Sequence, residues 1–147
     1  MSAKFKPLLA PLAIAAIISG CAPTPRVVIS NGGSQISIER SITVASGQPT
    51  KLAFQVALNP DCSQIQPGTV TREAQAPAHG RLEFRKTEDF TNFPASNPRS
   101  QCNSRRVQGV AIYYHPDKGF TGSDAFAYDL FTNTGGQIRS NVTANVR

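Results

Sequence analysis

Between residues 113 and 130 the chain reads YYHPDKGFTGSDAFAYDL, which packs His115, Ser123, Asp117, Asp124, Asp129 and three tyrosines into one stretch. These are the residue types of nucleophilic hydrolysis: a hydroxyl, an imidazole to take its proton and a carboxylate to orient the imidazole. The same carboxylates, or His115 with the distant His79, could instead ligate a cation. The spacing supports neither chemistry. Ser123 does not stand in a Gly-x-Ser-x-Gly turn, and no oxyanion-stabilising loop accompanies it. His115 and Asp124 are separated by the turn signal Pro116-Asp117-Lys118-Gly119. The three aspartates are isolated rather than clustered, and two lone histidines lack the further ligands of a metal site. The expectation is a chain with no catalytic residue, no cofactor and no metal.

The elements that must position these residues are short strands. Period-2 alternation recurs, and helical periodicity is scarce. RVVIS (26–30) and QISI (35–38) flank the turn Asn31-Gly32-Gly33, and SITVASG (41–47) follows. TKLAFQVAL (50–58) is expected to place Leu52, Phe54, Val56 and Leu58 on one face. GTVTREA (68–74), GRLEF (80–84), VQGVAIYY (107–114), SDAFAYDLF (123–131) and QIRSNVTANV (137–146) complete the set, with Thr132–Gly136 as the last hairpin turn. Short strands punctuated by Gly, Pro and Asn predict an all-β, antiparallel sandwich of about seven strands spanning 35–147. One segment has neither period: 85–106, RKTEDFTNFPASNPRSQCNSRR. It reads as a loop longer than compact domains usually carry, and so as functional or as a connector.

The ends fix an address. MSAKFK carries two lysines, LLAPLAIAAII (8–18) is apolar, and Ser19-Gly20-Cys21 follows, the pattern of a secretory signal over 1–20. An apolar run of that length is too short to span a bilayer as a helix, which takes about 20 residues. Ile18-Ser19-Gly20-Cys21 resembles the bacterial lipobox, which implies cleavage before Cys21 and acylation of that residue. Several acyl chains, at about 0.8 kcal/mol per buried CH₂, give a stable anchor. With Ala22 after the cysteine, the resemblance to enteric lipoproteins implies the outer membrane. Residues 21–34 are then the lipidated N-terminus and tether, and 22–25 (APTP) extend no further than about 14 Å. The leader removes two of the 15 basic side chains, leaving 13 against 9 acids and a formal charge of +4. That excess points to an envelope protein or an anionic envelope polymer as partner, and away from nucleic acid. Cys62 and Cys102 remain as an even pair in an exported chain, for which a disulfide is the expectation.

The stretch that opened this section also carries a family resemblance. Pro77-Ala78-His79-Gly80, then Tyr114-His115-Pro116, then Gly119-Phe120-Thr121-Gly122-Ser123-Asp124-Ala125-Phe126-Ala127-Tyr128 resemble the bacterial immunoglobulin-like or cadherin-like repeats of large surface adhesins. The resemblance covers about 36–147 and implies an immunoglobulin-like sandwich. It makes the aspartates and glycines turn residues, with Asp124 capping the loop before its strand, Phe120 plugging the core and Tyr128 a candidate corner tyrosine. Calcium, which such repeats often bind between domains, would need clustered carboxylates that this chain lacks. Relative to the repeats, roughly twenty residues are inserted at about 86–106. The insertion is acid-free from Thr91 onward and holds Arg99, Arg105 and Arg106 near Phe90 and Phe93. Guanidinium forks beside aromatics suit carboxylates and phosphates, so these arginines form the candidate anion or partner site. The reading is a non-enzymatic envelope lipoprotein acting as a binding module. An inhibitor of an envelope-targeting hydrolase and a small periplasmic enzyme are the alternatives.

Overall fold

The structure is a computed structural model that describes residues 26–29 and 35–147. The signal segment, Cys21 and the tether 22–25 lie outside the described residues. Strands form where the alternation places them: β1 (Arg26–Ile29), β2 (Gln35–Val44), β3 (Thr50–Gln55), β4 (Val70–Gln75), β5 (Gly80–Phe90), β6 (Arg106–Pro116), β7 (Gly122–Phe131) and β8 (Gln137–Val146). One 3₁₀ turn covers Ser100–Ser104. No helix among the described residues is long and apolar enough to cross a membrane.

The strands make a five-stranded sheet, ordered β1-β2-β8-β7-β4, and a three-stranded sheet, ordered β3-β6-β5. Relabelled A to G, β2–β8 place B-E-D in one sheet and A-G-F-C in the other; the split of B-E-D from C-F-G is that of an immunoglobulin sandwich, but the first strand pairs with the last and not with B. The chain is all-β, as its pattern required. β1 is an extra strand paired with β2, so the sheet begins at Arg26 and the tether ends before it, not at residue 34. QISI and SITVASG are halves of one strand. The sheet is also not purely antiparallel, because β2 runs parallel to β8 from Gln35↔Gln137 to Val44↔Val146. These two strands lie far apart in sequence, so no tight turn constrains their relative direction.

Inward-facing residues from both sheets close one core. Val44, Val142, Ala144, Val146, Phe126 and Tyr128 come from the larger sheet, and Leu52, Ile112 and Tyr114 from the smaller. Phe120 packs against this cluster from the turn before β7, as a plug would. The rings of Tyr114 and Phe126 stack with centroids 4.6 Å apart. Arg40 spans the gap between the sheets at their β2/β3 side, donating to Tyr128 Oη and to the Leu52 carbonyl, both at 3.2 Å. Tyr128 is therefore held by an arginine of β2 and, among the described residues, bonds no backbone group as a corner tyrosine would.

The unpatterned segment is only partly a loop. β5 and β6 pair continuously from Gly80↔Pro116 to Phe90↔Arg106, so residues 86–90 and 106 belong to a long hairpin and 91–105 form its tip. The alternation was hidden because both faces of this extension carry charged residues. The tip folds onto the outer face of the three-stranded sheet and makes a second core of Leu58, Cys62, Cys102 and Val107, flanked by Phe54, Val56 and Phe93. Cys62 and Cys102 are bonded, with Cα atoms 5.5 Å apart, closing a separation of 40 residues. Gly109 lets β3 cross closely over β6: a Cβ there would lie 2.6 Å from the Gln55 carbonyl oxygen and 2.7 Å from Phe54 and Val56. Gly109→Ala is expected to destabilise by about 1–3 kcal/mol through overpacking, read as a lower urea midpoint at unchanged slope.

Candidate functional site

The pole of the sandwich gathers the residues of the opening stretch, and their chemistry is spent on the backbone. Asp124, at the start of β7 and 3% exposed, accepts hydrogen bonds from the amides of Ala78 and His79 at 2.9 and 3.0 Å. It also accepts from its neighbour Ala125 at 2.9 Å and from Tyr114 Oη at 2.8 Å. Rather than capping its own loop, it clamps the Pro77–Gly80 turn across the sandwich. The Tyr114 hydroxyl also reaches the His79 carbonyl, at 3.2 Å, which ties the end of β6 to the same turn. Burial, followed by its bond to Asp124, pushes the phenol pKa up. Burial also acts to raise the Asp124 pKa, but the bonds from Tyr114, Ala78, His79 and Ala125 outweigh it and hold the carboxyl below the usual carboxylate range. The His79 ring stacks on Phe120 with centroids 4.0 Å apart. Gly80, at φ +156°, passes so close to β6 that a Cβ would meet the His115 carbonyl at 2.4 Å.

The other reactive groups are dispersed. His115 Nε2 lies 2.6 Å from Glu83 Oε2 on the outer face of the smaller sheet, where Arg85 bonds the same carboxylate at 2.8 Å. The bond from Arg85 is the main cause holding the Glu83 carboxyl low. Asp129 is covered on the outer face of the larger sheet by Arg139, which binds it through two nitrogens at 2.8 and 3.0 Å. Ser123 is exposed on β7 opposite Asn145, and Asp117 is exposed in its turn. Among the described residues Ser123, His115 and the aspartates are not brought together. Among the described residues no group of three His, Cys, Asp or Glu is placed to hold a cation.

Of the three arginines of the insertion, Arg99 and Arg105 meet on the 58–61 loop and Arg106 points elsewhere. Arg99 donates to the Leu58 carbonyl, Arg105 to the Asp61 carbonyl at 2.9 Å and Arg106 to the Glu88 carbonyl at 2.7 Å. Arg105 and Arg106 are consecutive in extended backbone, so they point to opposite sides. Arg99 and Arg105, with Gln101 on the Pro60 carbonyl, fasten the tip to the β3–β4 loop beside the disulfide. The acid-free composition that suggested an anion site reflects this use of cations on backbone carbonyls.

A concave surface lies on the opposite side of the same hairpin. Leu82 and Phe84 pair with Tyr114 and Ile112 and face the core. Two and four residues further on, Lys86 and Glu88 pair with Val110 and Gln108 on that same inward face. The face thus turns from wholly apolar to mixed, with Val110 beside Lys86, Glu88 and Gln108. The β3–β4 loop supplies a facing wall, leaving a cavity of about 480 Å³ lined by Gln55, Gln64, Gln66, Gln108, Lys86 and Glu88, among others. Gln64 Nε2 donates to the Gln108 carbonyl at 2.9 Å and ties loop to floor. The signal was available in sequence, since LEFRKTE continues the Leu82, Phe84 alternation with charged residues.

No protein-family model and no curated protein matches the chain. Among solved structures, the chain has a likeness to part of a 2,6-sialyltransferase of Photobacterium sp. JT-ISH-224, solved in a ternary complex with CMP and lactose. It covers 80% of this chain and 18% of that one, at 12% identity and a TM-score of 0.30. A likeness of that size carries no argument about function.

Proposed function

We propose that the protein is a non-enzymatic binding module of the bacterial cell envelope, tethered to the outer membrane through an acylated Cys21, whose partner is another envelope component. The observation that carries this reading is the use of the Asp124, Tyr114 and His79 cluster. Asp124 and Tyr114 bind the amides and a carbonyl of the 77–80 turn, so the densest set of reactive groups serves as scaffold. A short tether keeps such a domain near its membrane, where a rigid sandwich presents loops and sheet faces to a neighbour. Mature protein from a host that processes lipoproteins is expected to incorporate fatty-acid label and to sediment with membranes. Cys21→Ala should lose both. Label persisting in that variant, or wild-type protein recovered wholly unlabelled and soluble, would overturn the anchoring.

A further inference from the structure

We infer that the groove of mixed polar and apolar lining between β5–β6 and the β3–β4 loop is a binding site for an extended, uncharged polypeptide segment. The inference rests on the reading of the protein as a binding module and gives that module a site and a ligand class. Three observations carry it. First, the groove is built rather than incidental: the inward face of a continuous hairpin changes from Leu82 and Phe84 to Lys86 and Glu88 where the loop 64–70 takes over as the facing wall. Its volume falls in the range of ligand sites, about 300–1,000 Å³.

Second, its chemistry is that of the peptide group. Glutamine amides from residues 55, 66 and 108 each offer a donor and an acceptor, while the Gln64 amide already donates to the Gln108 carbonyl. Lys86 and Glu88 stand two residues apart on one face, and their charges cancel. On a chain of net positive charge this neutral site complements a neutral partner. No aromatic ring lines the groove to stack on a sugar face, which separates this ligand class from a glycan.

Third, a backbone template is present. β5 is the edge of its sheet, in the order β3-β6-β5, and pairs only with β6 among the described residues. Alternate residues of such an edge direct N–H and C=O groups outward, where an incoming strand can pair. A strand added there sends every second side chain over the inner face, into the groove. The charges of Lys86 and Glu88 discourage self-pairing of this edge, as edge strands require.

The test uses the full-length protein, isotope-labelled and purified in detergent, with a displayed library of random dodecapeptides as the probe. Enriched peptides are expected to be low in charge and to shift the amide resonances of Lys86–Glu88 and the side-chain amides of Gln66 and Gln108. The double variant Gln55→Ala with Gln108→Ala should weaken the best peptide by about tenfold, the loss expected of two hydrogen bonds. A groove-filling change offers a second check. Gly68 needs no positive φ, and a Cβ there meets nothing nearer than the Ile65 carbonyl at 4.0 Å. Gly68→Trp should therefore fold normally and lose peptide binding. No enrichment, shifts that map elsewhere, or binding of neutral glycans in place of peptides overturns the inference. Because these measurements are made free of the membrane, their failure leaves the acylation result untouched, and the reverse holds too.

Discussion

Replacing Asp124 with alanine is expected to cost about 4 kcal/mol and to loosen the pole of the sandwich before the rest. The carboxylate is buried and accepts from three backbone amides and a phenol. Hydrogen bonds to a charged group contribute about 1.5–3 kcal/mol each before desolvation is counted, and each buried donor left unpaired costs about 1–3 kcal/mol. The Ala78 and His79 amides and Tyr114 Oη would lose this acceptor together, although Tyr114 keeps the His79 carbonyl within reach. Hydrogen exchange should accelerate first at Ala78, His79 and Ala125. Asp124→Asn keeps the shape but turns an NH₂ group toward donors, so about 2 kcal/mol is expected. The pH dependence separates charge from shape. A carboxyl whose folded pKa lies below its unfolded one stabilises above the unfolded value, about 3.9, and that stabilisation is lost as pH falls through the folded value. Asp124 and Asp129 are both shifted down, Asp129 chiefly by its bond to Arg139. Wild-type stability should therefore fall below about pH 4, and the fall should be shallower in Asp124→Asn. An Asp124→Ala protein with unchanged midpoint and unchanged acid limb would refute the clamp.

Removing the disulfide with Cys62→Ala and Cys102→Ala together is expected to destabilise by about 4 kcal/mol. The bond closes a separation of 40 residues, and chain-entropy arithmetic for a loop of that length gives roughly that value. Its structural consequence should be local. The second core has only Leu58 and Val107 as fully buried members besides the two half-cystines, so the tip 91–105 relies on the covalent tie more than the main core does. Reduced protein should expose Phe93 and raise exchange across 91–105 while Phe126 and Tyr128 stay protected. The staples from Arg99, Arg105 and Gln101 to carbonyls of 58–61 should weaken with it, because they join the same two segments. Uniform loss of protection across both cores would show that the tip is not a separate unit. Unchanged stability on reduction would remove the disulfide as a determinant of the fold.

Much of this molecule is local in origin, and that part was legible in the residues. Alternation in 123–131 and 137–146 specified strands and their buried faces because a pleated chain sends successive side chains to opposite sides. In 50–58 it misled: the register shifts between Lys51 and Ala53, so Leu52 joins the main core while Phe54, Val56 and Leu58 face the second. The Gly119 and Gly135 turns, at φ +85° and +83°, follow from the freedom of a residue without Cβ. An even cysteine pair specified a bridge. What the sequence did not contain is the set of relations between distant segments. Asp124 looked like a cap for its own loop, yet its partners lie 45 and 46 residues earlier. Arg99, Arg105 and Arg106 are close in the chain, but Arg99 and Arg105 bond carbonyls of the 58–61 loop while Arg106, next in extended backbone, turns to the Glu88 carbonyl. The parallel pairing of β2 with β8 and the polar turn of the Lys86–Glu88 face depend on which strand or loop arrives opposite. Composition and period fix what a residue can do and which side of its own strand it occupies. Only the tertiary structure decides what it meets there, because that contact is set by packing of the whole chain.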